Sequence, residues 1–196
     1  MDALCRQETV NVRCAQFMGL IKEVEDIGRT FTCVLPGHVD RNPSATLYHE
    51  ATTGRLKYRD WHRASGDEWY QLVDVYASQV SGVVTRLRGP AMVTWQLRLL
   101  VDAGVVAPYP VPARELPADA PVSVQRVYRG FVRLLACKWL YTAAAPTPYS
   151  WRFAAAWCGM HSMQQIGVAM DWLLKRRYVR RVGTHKRMAL FLPGRP

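Results

Sequence analysis

The chain has 196 residues, enough for one sizeable domain or two small ones, and 49% of them are apolar, which points to a packed core and away from disorder. No uninterrupted apolar run approaches bilayer length, and Met1-Asp-Ala-Leu-Cys-Arg6 lacks the basic and apolar regions of a secretory signal, so no membrane role and a cytoplasmic setting are expected. The formal net charge of +11 is unevenly placed: residues 124–196 hold 13 Lys and Arg against one acid, Asp171, whereas residues 1–123 hold 13 bases and 14 acids. A basic block on a folded segment calls for a polyanionic partner, nucleic acid before membrane; the near absence of balancing acids argues against a merely solvated face. The five cysteines (5, 14, 33, 137 and 158) form an odd set without Cys-x-x-Cys, which speaks against a disulfide framework and for reduced thiols.

Taken in chain order, Phe17, Leu20, Ile21 and Val24 stand at helical spacing and predict an amphipathic helix over 13–26. A strand at Arg29-Thr-Phe-Thr32, a turn carrying Cys33 and His38, and a strand at Ala45-Thr-Leu-Tyr48 follow. Thr53-Gly54 signals a hairpin into a strand at 55–59. A helix should start near Ser65 to Asp67, with Trp69, Leu72, Val73, Tyr76 and Val80 on one face. Another spans Pro90 to Ala103, with Pro in its first turn and Gly104 at its end. Five prolines over residues 105–123 read as an extended linker with little packing of its own. Beyond it, Val124 to Tyr141 is helical, with Val127, Phe131, Leu134, Leu135 and Trp139 inward and Arg126, Arg129 and Arg133 outward. The fold class is α+β: a small ribbon-like part with flanking helices over 1–104, the linker, and a helical part with a hairpin over 124–196.

The segment Cys33-Val-Leu-Pro-Gly-His38-Val-Asp-Arg-Asn-Pro43-Ser44-Ala45 sets a thiol and an imidazole on a tight turn, followed by a Pro-Ser pair that starts a strand. It resembles the zinc-ribbon domain, of the Cys-His-Cys-Cys type, that opens bacterial and phage DNA primases; the resemblance covers residues 27–80. That family supplies two further ligands from a second turn, which here is Tyr58-Arg-Asp-Trp-His-Arg63. The two family cysteines are absent there, and Asp60 and His62 stand near their places. The resemblance therefore implies zinc, held by Cys33, His38, Asp60 and His62. The alternative is a degenerate ribbon without metal, in which Asp60 and His62 form an ion pair or hydrogen bond and Cys33 is a small buried residue. In primases the ribbon helps select the initiation sequence on single-stranded template. The same contact is implied here for Arg41, Lys57, Arg59 and Arg63, with Tyr58 or Trp61 stacking on a base.

Residues 150–194 read as a winged helix-turn-helix. Ser150 caps a helix over Trp151–Cys158, Gly159-Met-His161 is the turn, and Ser162 caps a second helix running to about Arg176. A strand at 178–182, a turn at Gly183–Arg187 and a strand at Met188–Leu192 form the wing. At 100° per residue, Met163, Ile166, Ala169, Met170 and Leu173 share the buried face of the second helix, and Gln164, Gln165, Val168, Asp171 and Lys175 project away. Gln suits bidentate contact with adenine in the major groove, and Ser162 and Lys175 suit phosphate. Arg176, Arg177, Arg180, Arg181, Lys186 and Arg187 would neutralise the backbone. The whole pattern is similar to the C-terminal winged helices of replication proteins on mobile elements. The competing reading is a winged fold used for protein contacts, with the two glutamines merely solvated.

Nothing in the chain marks a complete enzyme. There is no Asp-x-Asp pair, no phosphate-cradling Gly-x-x-x-x-Gly-Lys-Ser/Thr loop, and the carboxylates of Glu23 and Glu25, two apart on a helix, splay. The expectation is a zinc-containing, primase-like DNA-binding protein that recognises template or origin DNA of a phage, plasmid or integrated element. Catalysis would come from a separate primase, helicase or polymerase. The alternatives are a winged-helix regulator on duplex operator DNA and a priming subunit without recognisable acids.

Overall fold

The computed structural model describes residues 2–37, 41–61 and 69–195, the side chains of Asp2 and Cys5 aside. It divides into two compact units, Met1–Val106 and Ala107–Pro196. Each mixes helices with an antiparallel sheet, as an α+β fold does. No helix among the described residues is long and apolar enough to cross a membrane. Cys14, Cys33, Cys137 and Cys158 are unbridged.

The first unit runs α1 (Asp2–Cys5), α2 (Glu8–Phe17), a single 3-10 turn at Val24–Asp26, β1 (Thr30–Phe31), β2 (Ala45–His49), β3 (Leu56–Asp60), β4 (Trp69–Gln71), α3 (Leu72–Ser81) and α4 (Gly89–Asp102). The strands form one sheet in the order β1-β2-β3-β4. The helix expected over 13–26 lies earlier, because Gly19 takes a φ of 70° just after its end and the amides of Gly19 and Leu20 fold back onto the carbonyls of Gln16 and Ala15. Leu20 and Ile21 therefore enter the core as post-helical residues, while Phe17 and Val24 stay exposed. Trp69, expected on a helix, is in β4. The carboxylate of Asp74 accepts the Gln71 amide and fixes the start of α3 at Leu72; the expected start at 65–67 lies outside the described residues.

Strand β3 does not alternate between core and water. Leu56, Lys57, Tyr58 and Asp60 are all 5% exposed or less, so both faces of this strand are covered. The buried centre of the unit is Leu47, Tyr58, Tyr70, Val73, Val75, Trp95, Leu99 and Leu100, with edge-on ring contacts from Tyr58 to Phe31 and Tyr70.

The second unit runs α5 (Val122–Thr142), β5 (Thr147–Pro148), α6 (Trp151–Cys158), α7 (Met163–Lys175), β6 (Val179–His185) and β7 (Met188–Pro193), with sheet order β5-β7-β6. Along α5 the spacing of apolar residues does what it predicts: Val127, Phe131, Leu134, Leu135 and Trp139 are buried, and Arg126, Arg129 and Arg133 are exposed. Helix α6 sits across α5, with the Trp157 indole donating to the Gly130 carbonyl at 2.8 Å. Ser150 and Ser162 cap α6 and α7 as expected, accepting the amides of Phe153 and Gln165, and Gly159 ends α6 with a φ of 62°. In α7, Ile166, Ala169, Met170 and Leu173 are fully buried. Met163, assigned to that face, is instead 52% exposed, because the first turn overhangs the stripe that begins at Ile166.

Two further departures bear on the site. The proline-rich run is extended as expected but is not a slack tether. The Tyr109 amide donates to the Ala136 carbonyl at 3.1 Å, the Tyr109 ring stands edge-on to Trp139, and the Arg114 guanidinium lies 4.6 Å from the centre of the Tyr178 ring. The hairpin is also longer than expected. His185 pairs with Met188, so the turn is Lys186-Arg187 alone instead of Gly183–Arg187, and Val182 bulges out between Arg181 and Gly183.

Candidate nucleic-acid interface

The exposed face of α7 carries Gln164, Gln165, Val168, Asp171 and Lys175, all open to solvent, with Val168 at 63%. An aliphatic residue this exposed, one turn after two amides, gives the face both hydrogen-bonding and apolar contact capacity. Ser162 stands at its head, where its hydroxyl oxygen accepts the Gln165 amide at 3.2 Å and the hydroxyl proton is left for an acceptor.

Six cations around the end of α7 and the hairpin fall into two sets. Arg181, Lys186 and Arg187 are exposed along the hairpin and at its tip. Both tip residues have left-handed backbone, φ of 45° and 66°, conformations that usually go to Gly or Asn. The second set is held by contacts. Arg176 lies 4.2 Å from the Trp172 ring centre, Trp172 stacks on Tyr178, and Tyr178 in turn faces Arg114. Arg180 donates from Nε to the Pro193 carbonyl at 3.3 Å. Sequence reading missed Arg114 because it sits in a proline run that looked unattached; its one signal was a lone base two residues after Pro112.

In the first unit the expected strand-binding residues separate. Arg41 is exposed. The Arg59 guanidinium stacks 3.7 Å over the ring of Trp61, which is 54% exposed, so these two form an open cation–aromatic surface. Lys57 is not available: it is 5% exposed, with its ammonium 3.4 Å from Glu50 and 3.7 Å from the Trp69 ring centre. Tyr58, named as a stacking residue, is wholly buried. Both corrections have one cause, the two-sided cover on β3. Arg63 lies outside the described residues.

Of the four expected metal ligands, Cys33 and Asp60 come together and His38 and His62 lie outside the described residues. A chain of hydrogen bonds runs from the Val34 amide to the Tyr58 hydroxyl (3.1 Å), from that hydroxyl to Cys33 Sγ (3.1 Å), and from the thiol to Asp60 Oδ2 (3.5 Å). Burial pushes the Cys33 thiol above its usual range, the nearby Asp60 carboxylate adding to it, and burial likewise raises the Tyr58 phenol. Among the described residues no group of three or more His, Cys, Asp and Glu side chains gathers to hold a metal ion.

No protein family, curated sequence or solved structure matches the chain.

Proposed function

We propose that the chain is a DNA-binding protein of replication whose second unit is a winged helix-turn-helix. The observation that carries this reading is the outward face of α7, Gln164-Gln165-Val168-Lys175, standing next in the chain to an exposed basic hairpin in a unit with 14 bases and three acids over residues 107–196. The order helix, short strand, helix, helix, hairpin, with β5 paired to β7, supports it. Helix α7 then enters the major groove, the glutamines meet base edges, and the hairpin tip lies along phosphates. Arg59 and Trp61 give the first unit a surface on which an unpaired base stacks. This favours template or origin recognition, with polymerising chemistry in another protein. The two glutamines equally suit a regulator on duplex operator DNA, and the test separates the two.

The ribbon part of the reading brings zinc. Tetrahedral ligands at about 2.3 Å for sulfur and about 2.0 Å for oxygen stand roughly 3.5 Å apart, and Cys33 Sγ lies 3.5 Å from Asp60 Oδ2. The pair therefore fits two corners of a site that His38 and His62 would complete. Zinc there would supply a structural bond between the turn after β1 and the end of β3.

Fluorescence anisotropy on duplex, forked and single-stranded DNA at several salt concentrations tests the reading. If the six cations Lys175, Arg176, Arg180, Arg181, Lys186 and Arg187 contact backbone, the log–log salt slope should be about −5. Preference for forked or single-stranded DNA supports replication, and tight binding only to a duplex palindrome moves the protein to regulation. A slope near zero removes the DNA reading altogether. Near-stoichiometric zinc in the purified protein supports the ribbon, and its absence leaves the hydrogen-bonded thiol.

A further inference from the structure

The second unit has a concave site apart from the outward face of α7. Five arginines, Arg114, Arg177, Arg180, Arg181 and Arg195, surround an open cavity of about 800 Å³ whose floor includes Leu174 and Val179. Ligand pockets usually measure roughly 300–1,000 Å³. No carboxylate lines this one among the described residues. It opens where α7 ends and β6 begins. Helix α7 has 13 residues and β6 has seven, so it lies about 20 Å from the head of α7 and about 20 Å from the hairpin tip.

Crowding like charges without acids is unfavourable, and the fold spends contacts to hold them there. Arg114 is brought in by the proline-rich run and held on the Tyr178 ring, which also stacks with Trp172, the ring that Arg176 covers. Arg180 is anchored through Nε, which leaves its terminal nitrogens to point elsewhere. Arg177 holds a left-handed φ of 60°, and its carbonyl comes so near Gly194 that a Cβ there would overlap it. That close approach sets Arg195 beside Arg177. The negative end of the α7 dipole partly offsets the repulsion. With Arg114 and Arg180 held in place and three further guanidiniums around the same open cavity, the site suits phosphate groups, which guanidinium forks can grip bidentately.

We propose that this pocket binds adjacent phosphate groups of a nucleotide-type polyanion, supplied either by a strand passing the base of the hairpin or by a free polyphosphate. The assignment goes beyond the reading of α7 and does not need that helix to touch bases. The test uses the full chain in three forms: unaltered, Arg114→Gln/Arg195→Gln, and Lys186→Gln/Arg187→Gln. Both pocket residues are exposed and outside helices and strands, and circular dichroism checks that the fold is kept.

Titration calorimetry with inorganic tripolyphosphate should show binding to the unaltered chain, weakened about tenfold or more in the pocket variant and unchanged in the hairpin-tip variant. Equal binding by the pocket variant, or none by the unaltered chain at millimolar ligand, overturns the proposal. Duplex affinity measured with saturating tripolyphosphate then identifies the source: a fall means the strand occupies the pocket, no change means a free polyphosphate does. If tripolyphosphate binds as described and no DNA binds at all, the pocket stands and the DNA reading falls.

Discussion

Gly130 lies inside α5, where glycine costs about 1 kcal/mol relative to alanine. The reason it sits there is steric. A Cβ at this position would stand 2.4 Å from Cys158 Sγ and 3.3 Å from the Tyr149 hydroxyl, and the Gly130 carbonyl takes the Trp157 indole. Gly130→Ala should therefore destabilise the second unit by about 1–3 kcal/mol despite its better helix propensity, read as a fall in its melting temperature. Lys138, also on α5, is partly buried, and burial pushes its pKa below the usual 10.5. Between the lowered value and 10.5 the folded chain carries fewer protons than the unfolded one, so this group adds stability as pH rises through that window and loses it below. Lys138→Met should raise the melting temperature at neutral pH and should flatten the pH dependence of stability in the window just below 10.5.

At the scale of elements, the β6–β7 turn gives the clearest separation of stability from binding. Lys186 and Arg187 both hold positive φ without the glycine or asparagine that such turns favour. Replacing them with Asn-Gly should stabilise the hairpin by about 0.5–1 kcal/mol and, by removing two cations, reduce the salt slope of DNA binding by about 2. A variant that melts higher but binds DNA unchanged would take the tip out of the interface.

The same scale shows what the sequence made legible. α5, α6 and α7 could be read almost to the residue because Ser150, Gly159 and Ser162 are strong local signals and the apolar spacing of α5 is unbroken. Strands β4 and β5, of three and two residues, carry too little pattern to read, and each exists through its pairing to β3 or β7. Lys57 was misread because a strand covered on both faces loses its period-two signal, and a lysine can bury there once Glu50 and Trp69 meet its ammonium. Of the candidate site, the α7 face was legible from helical geometry. The arginine pocket was not, since Arg114 and Arg195 reach it from opposite ends of the unit through contacts between residues distant in sequence.

For the whole molecule, the two units have separate cores and very different charge. Residues 1–106 hold 12 bases and 12 acids, so the surplus lies entirely in 107–196. A fragment of residues 107–196 should fold alone and keep the duplex affinity and salt slope of the full chain, while 1–106 alone should show neither. Calorimetry and anisotropy on the two fragments check this, and a steep salt slope for 1–106 would refute it.

The open pairing of Arg59 with Trp61 is a small surface, and on its own it would hold a nucleic-acid base only weakly. Covalent linkage changes that requirement. Once the cationic unit is seated, a neighbour on the same chain meets the strand at an effective concentration that reaches about the millimolar range. A contact with a dissociation constant somewhat below millimolar, easily overlooked with separated fragments, would then be occupied most of the time in the intact protein.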